Sequence, residues 1–151
     1  MRPKKKTISI LMADDDPDDR LLTREAFDES RLKNELYFVE DGEDLMNYLH
    51  RKGKYETEIT APKPGLILLD LNMPRKDGRE ALKEIKADEK LRRIPIVVLT
   101  TSAAEEDIIS SYELGVSAYI RKPVTFDGLI SVIKSIGKYY VEIVELPPRL
   151  D

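Results

Sequence analysis

No cysteine occurs among the 151 residues, which excludes disulfides, thiolate metal sites and a cysteine nucleophile and fits a reducing compartment. Long apolar runs are missing too. The longest are four to six residues, far below the roughly 20 needed to cross a bilayer. Met1 to Lys6 (Met-Arg-Pro-Lys-Lys-Lys) has no apolar segment behind it long enough for a signal peptide, so a soluble, cytoplasmic protein with no membrane partner is expected. Nor does charge of one sign dominate: 25 Lys and Arg against 29 Asp and Glu give a net charge of -4, a mixed surface that argues against a dedicated nucleic-acid binder. The basic clusters Lys4 to Lys6 and Lys90 with Arg92 and Arg93 read as solvated surface. His50, the single histidine, falls at a polar helix end and receives no role.

What is present suffices for one sizeable core, with 41% hydrophobic residues, and reads as one domain. Its organising stretch is Leu66-Ile67-Leu68-Leu69-Asp70-Leu71-Asn72-Met73-Pro74. Four consecutive apolar residues predict a strand buried on both faces, and Asp70 stands at its carboxyl end. In an open α/β sheet that end opens onto the ligand crevice.

Four further strand-like runs share this pattern. Thr7 to Ala13 predicts a first strand that runs into Asp14-Asp15-Asp16-Pro17-Asp18-Asp19. Asp16 before Pro17 is a helix-start signature, and Asp18 and Asp19 suit the positive end of the helix dipole. Asp14 and Asp15 are left without a structural task. Leu21, Leu22 and Ala26 suggest the apolar face of that helix. Leu36 to Glu40 predicts the second strand, and Leu45, Met46 and Leu49 mark a second helix. Arg51 to Pro64 reads as a long functional or mobile loop. A third helix is expected over Gly78 to Glu89 with Ala81, Leu82 and Ile85 inward. Ile94 to Leu99 forms another buried strand, ending in Thr100-Thr101-Ser102. Ser102 to Glu105 reads as a capping box opening a fourth helix, which Gly115 ends. Ser117 to Ile120 is the fifth strand, followed by Arg121-Lys122-Pro123. Thr125 caps a last helix whose inward stripe is Leu129, Val132, Ile133 and Ile136.

Strand and helix alternate five times, which predicts a mostly parallel sheet with helices on both faces and all strand carboxyl ends along one edge. Asp14 and Asp15, Asp70, Thr100 and Lys122 arrive there together. Carboxylates converging in one crevice repel unless a cation joins them. An all-oxygen donor set with room for water and phosphate oxygens suits Mg²⁺. Metal, lysine and hydroxyl around one carboxylate describe phosphoryl transfer to Asp70.

These residues, with the Leu-Leu-Asp-Leu-Asn-Met-Pro run, Gly78, Tyr119 and the Lys122-Pro123 pair, resemble in identity and order the receiver domains of two-component response regulators. The likeness runs from about Thr7 to about Ile136. It implies a flavodoxin-like, doubly wound, five-stranded parallel sheet of order 2-1-3-4-5. It also implies that Asp70 accepts the phosphoryl group from a sensor histidine kinase and that Asp15 and Asp70 ligate Mg²⁺. Asn72 would add its backbone carbonyl, Asp14 would act through water, Lys122 would pair with the phosphate, and Thr100 would swing toward it and draw Tyr119 inward. A cis Lys122-Pro123 peptide is a further implication. Two other readings are a phosphorylation-independent pseudo-receiver and a metal-dependent phosphatase, although Asn72 stands where the phosphatase needs a second acid.

The 51–64 loop and the tail from Tyr139 resemble the small stand-alone regulators that partner phytochrome-type histidine kinases. With the core at about 7–138 and the extension at 139–151, output would come from docking on another protein, whose identity the sequence does not specify. Continuing the last stripe to Tyr140 and Ile143, across Gly137, predicts a lengthened helix. Val141, Val144 and Leu146 add apolar surface, so a homodimer through the last helix and tail is expected.

Overall fold

The computed structural model describes residues 8–57 and 61–143, with side chains described as far as Tyr140. The five strands are β1 (Ile10–Ala13), β2 (Leu36–Val39), β3 (Leu66–Leu69), β4 (Ile96–Thr100) and β5 (Ala118–Arg121). They form one sheet in the order β2-β1-β3-β4-β5, and every pairing is parallel. Five α-helices alternate with them: α1 (Pro17–Glu29), α2 (Gly42–Leu49), α3 (Gly78–Ala87), α4 (Glu105–Leu114) and α5 (Phe126–Ile136). This is the doubly wound architecture expected from the sequence.

Alternation along the strands divides the core into two layers, since successive side chains point to opposite faces. Leu11, Ala13, Ile67, Leu69, Ile96 and Val98 pack on α2 and α3. Ile10, Met12, Leu66, Leu68, Val97 and Leu99 pack on α1 and α5. With both faces covered, the central strands hold no polar residue until they reach the carboxyl edge.

Helix starts follow local chemistry. Asp16, Asp41, Asp77 and Thr125 each cap a helix by accepting a backbone N–H. Gly115 ends α4 in the left-handed conformation at φ 96°. Three local expectations require correction. In α1 the buried face is Thr23, Ala26 and Phe27, an i, i+3, i+4 set, whereas Leu21 points outward at 58% exposure. The capping box at Ser102 does not form: α4 begins at Glu105 behind Ala104, because the Ser102 hydroxyl donates to the Asp107 carboxylate. No peptide among the described residues is cis, so Lys122-Pro123 is trans, the form favoured for X-Pro by about 0.5–1 kcal/mol.

The described residues of the segment from Arg51 are tied to the rest of the chain. It contains a 3₁₀ turn at Gly53–Tyr55, and the Tyr55 hydroxyl donates to Asp44. Tyr48 donates to the Pro62 carbonyl, and Ala61 is buried. Beyond α5 the helix continues as a π-helix over Gly137–Ile143. A Cβ at Gly137 would lie 2.5 Å from Leu32 Cδ2, so a larger residue there needs the end of the Leu32 side chain to move. Tyr140 is buried against Ala26, Phe27, Ile133 and Ile136, so the chain covers this part of the stripe itself. Thr7, Val144 and Leu146 lie outside the described residues.

A close approach at Gly78 fixes the edge geometry. A Cβ there would sit 2.2 Å from the Asp70 carbonyl oxygen and 2.7 Å from Leu71 Cα, both backbone atoms with little freedom to yield. Gly78→Ala is expected to destabilise the fold by about 1–3 kcal/mol through this overpacking. Urea denaturation measures it; an unchanged midpoint would show that the loop after β3 gives way without penalty.

Candidate functional site

Sheet register builds the site. Ala13 pairs with Leu69 across the two central strands, so Asp14 and Asp70, the next residues, emerge side by side. The Asp70 N–H donates to the Ala13 carbonyl at 3.0 Å. On the other side, Thr100 pairs with Arg121, and the Lys122 N–H donates to the Thr100 carbonyl at 2.8 Å. Lys122 is thereby delivered to the same edge.

Around Asp70 the contacts are specific. Its Oδ1 accepts from the Thr100 hydroxyl at 2.7 Å and from the Asn72 N–H at 3.1 Å, and its Oδ2 accepts from Lys122 Nζ at 3.0 Å. Lys122 Nζ also donates to Asp14 Oδ2 at 2.6 Å and to Asp19 Oδ2 at 2.7 Å. One oxygen of each of Asp14, Asp15 and Asp70 lies within 4.8 Å of the others. Asp14, Asp70 and Thr100 are buried, while Asp15 is exposed. The result is a pocket rim with one open carboxylate and two enclosed ones.

Its electrostatics are unbalanced. One ammonium faces Asp14, Asp19 and Asp70, with Asp15 close by. Burial pushes the Asp14 carboxyl up to about 6, against the lowering effect of the Lys122 and Asp16 hydrogen bonds, and the charge of Asp70 adds to the rise. For Lys122 burial acts downward, but its hydrogen bonds to Asp14 and Asp19 and the charges of Asp14 and Asp70 outweigh it and raise its affinity for the proton. Three all-oxygen donors with surplus negative charge fit a hard divalent cation.

All the residues singled out from the sequence except Tyr119 meet in this pocket. Thr100 already contacts Asp70. Tyr119 stands one strand away, half-buried, and donates to the Ser102 carbonyl at 3.0 Å. Asp19 is the residue that sequence reasoning missed. It suits the helix dipole, yet it lies one turn beyond the Asp16 cap and also accepts from Lys122 at the strand edge. Its position three residues after a cap could have flagged it, since that side chain turns back toward the helix start. Arg20 belongs here too, donating to the Asp14 carbonyl at 2.8 Å.

Comparison with known proteins agrees with this geometry. The family described as the response regulator receiver domain matches residues 10–134. The chain belongs to the response regulator receiver family. It is 44% identical over 138 residues to response regulator Rcp1 of Synechocystis sp., covering 91% of this chain and 92% of that protein. Among solved structures, the phosphorylated cyanobacterial phytochrome response regulator RcpA superposes with a TM-score of 0.88 at 42% identity, over 95% of this chain and all (100%) of that one. The Mn²⁺-bound form of Rcp1 gives 0.85 at 43% identity, over 93% of this chain and 99% of that chain. The chain therefore spans nearly the full length of these relatives and is a signalling receiver of their kind, a phosphoryl-accepting response regulator.

The burial of Asp14 has a measurable consequence. Asp14 has a folded pKa above its unfolded value, so between about pH 4 and pH 6 the native state binds the extra proton and stability falls as pH rises. Asp14→Asn removes that penalty. Without added metal the variant is expected to match the wild type near pH 4 and to exceed it by roughly 1–3 kcal/mol above pH 6. Thermal or urea unfolding across that range checks the sign, and a variant less stable at pH 7 would contradict it.

Proposed function

We propose that Asp70 is the phosphoacceptor of this receiver. The observation that carries the reading is the pairing of both Asp70 oxygens with Lys122, Thr100 and the Asn72 N–H, beside Asp14 and Asp15. An Asp70 oxygen forms the new P–O bond as the P–N bond of a kinase phosphohistidine breaks. Lys122 and Thr100 face the three phosphoryl oxygens and neutralise charge that grows on them. Asp14, Asp15 and Asp70 would hold Mg²⁺, with the Asn72 carbonyl as a further ligand implied by the family; the ion supplies charge neutralisation for the transferring group. The protein acts only on itself, promoting its own phosphorylation and dephosphorylation. Thr100 and Tyr119 form the switch.

A phytochrome-type histidine kinase is the partner this reading favours, since RcpA is described as a phytochrome response regulator. Output passes by protein docking in the cytoplasm; no described helix is long and apolar enough to cross a membrane. The pseudo-receiver alternative leaves the convergence on Asp70 without a purpose.

Phosphotransfer tests these assignments together. Incubation with a panel of phosphorylated kinases, or with acetyl phosphate and Mg²⁺, should add one phosphoryl group by intact mass. Asp70→Asn should abolish the addition, and Asp15→Ala should suppress it through the metal. Thr100→Ala should still be labelled but fail to switch. Undiminished labelling of Asp70→Asn would end the acceptor assignment, and preferential transfer from an unrelated kinase would reject the phytochrome-type partner.

We also infer a homodimer through α5 and the residues that follow it. Tyr139 is supporting: it is 54% exposed and lies edge-on to buried Tyr140 at 5.0 Å, so an aromatic side chain faces outward beside the extension. Light scattering on the full chain should report a dimer, and a version ending after Lys138 should be a folded monomer. A full-length monomer at micromolar concentration would reject the dimer.

A further inference from the structure

We propose that Arg79 is a positioning residue that ties the loop after the acceptor strand to the segment leading into α4. This rests on Asp70 being the acceptor. Arg79 is the second residue of α3, where the positive helix end disfavours a cation. Its placement is explained by its partners. Nε and one terminal nitrogen donate to the two Asp107 oxygens at 2.7 and 2.6 Å, a bidentate pair across the α3 and α4 starts. That second nitrogen also reaches Asn72 Oδ1 at 3.3 Å. The other terminal nitrogen donates to Asp77 at 3.1 Å and to the Leu71 carbonyl at 3.4 Å. All five N–H directions of the fork therefore have an acceptor.

Asp107 extends the connection. Its Oδ2 accepts from the Ser102 hydroxyl at 2.6 Å, and the Ser102 carbonyl accepts from the Tyr119 hydroxyl at 3.0 Å. The Ser102 N–H in turn points at the Thr100 hydroxyl oxygen at 3.4 Å. One guanidinium and one carboxylate thus link Asn72, two residues past Asp70, with Ser102, two residues past Thr100, and through it with Tyr119. Arg79 holds the Asp107 carboxyl well below the usual carboxylate range, at about 2, so the pair stays charged across physiological pH. A shift of Thr100 or Tyr119 has to carry Ser102 and Asp107 along or break their hydrogen bonds. Arg79 passes that choice to the loop carrying Asn72.

The consequence is a division between labelling and response. Arg79→Gln and Asp107→Asn should both leave acetyl phosphate labelling of Asp70 intact by mass. On adding beryllofluoride and Mg²⁺, the amide NMR shifts of Ser102, Asp107 and Tyr119 should fall by at least about half in each variant, and the double variant should lose no more than either single one, as expected for one coupled unit. Arg79→Lys keeps the charge without the fork and should recover only part of the response. Full responses in the single variants, additive losses in the double variant, or loss of labelling in Arg79→Gln would each overturn the proposal. Failure to label the wild type would instead remove the acceptor assignment on which it rests.

Discussion

One ammonium group among several carboxylates is the constraint on which this pocket depends. Lys122 is brought from β5 to oxygens on β1, β3 and α1, and no single element contains enough of the arrangement to form it alone. Parallel register is what makes it possible, because it places every strand end on one edge. The two apolar layers earlier in the strands hold that register against the repulsion at their tips. Slipping β1 by one residue would exchange its buried sets between faces and take Asp14 away from Asp70. The hydrophobic core and the polar edge are thus parts of one design.

The fold was legible because its signals were strong and redundant. Uninterrupted apolar strands, an acid or hydroxyl at their ends and helical stripes between them leave few topologies, and parallel crossovers reduce these further. Strand order itself came from the family resemblance, since alternation does not say which strands are neighbours. The pocket was legible to the same extent: Asp14, Asp15, Asp70, Thr100 and Lys122 each stand at a strand end. Asp19 and Arg79 were not, because each is on a helix and takes its role from a partner more than 25 positions away in sequence. Local rules also misplaced Leu21 and Ser102. Leu21 is apolar yet lies off the Thr23, Ala26, Phe27 face, and the Ser102 hydroxyl is claimed by Asp107 rather than by the turn it precedes.

Charged residues in first helical turns show both outcomes of one rule. Asp18 and Asp19 both satisfy the dipole argument at the start of α1, so that argument could not distinguish a merely favourable acid from one that also binds Lys122. Arg79 violates the rule at the start of α3, and that violation is the more informative sign. A cation held at the wrong helix end needs compensation, which here comes from a bidentate carboxylate and three further acceptors. Local inconsistency of this kind points to a site when a tertiary partner resolves it.

Energetically the pocket is held in a state that a divalent cation and a phosphoryl group would relieve in different ways. A cation held by Asp14, Asp15 and Asp70 would lower the repulsion among them and relieve Lys122 of part of its task of neutralising them. A phosphoryl group on Asp70 then competes with Asp14 and Asp19 for the same ammonium. Lys122 has three donors and three carboxylate partners, so a phosphoryl oxygen would either take over the donor that now serves Asp70 or displace Asp14 or Asp19. Asp19 is on α1, so a change of partner by Lys122 there would reach a surface helix as well as the pocket. The connection through Arg79 and Asp107 runs in the opposite direction across the sheet edge, toward α4 and Tyr119. The Asp70 carboxylate is thus held from two sides, by an ammonium shared with Asp14 and Asp19 and by a hydroxyl whose neighbours are tied together.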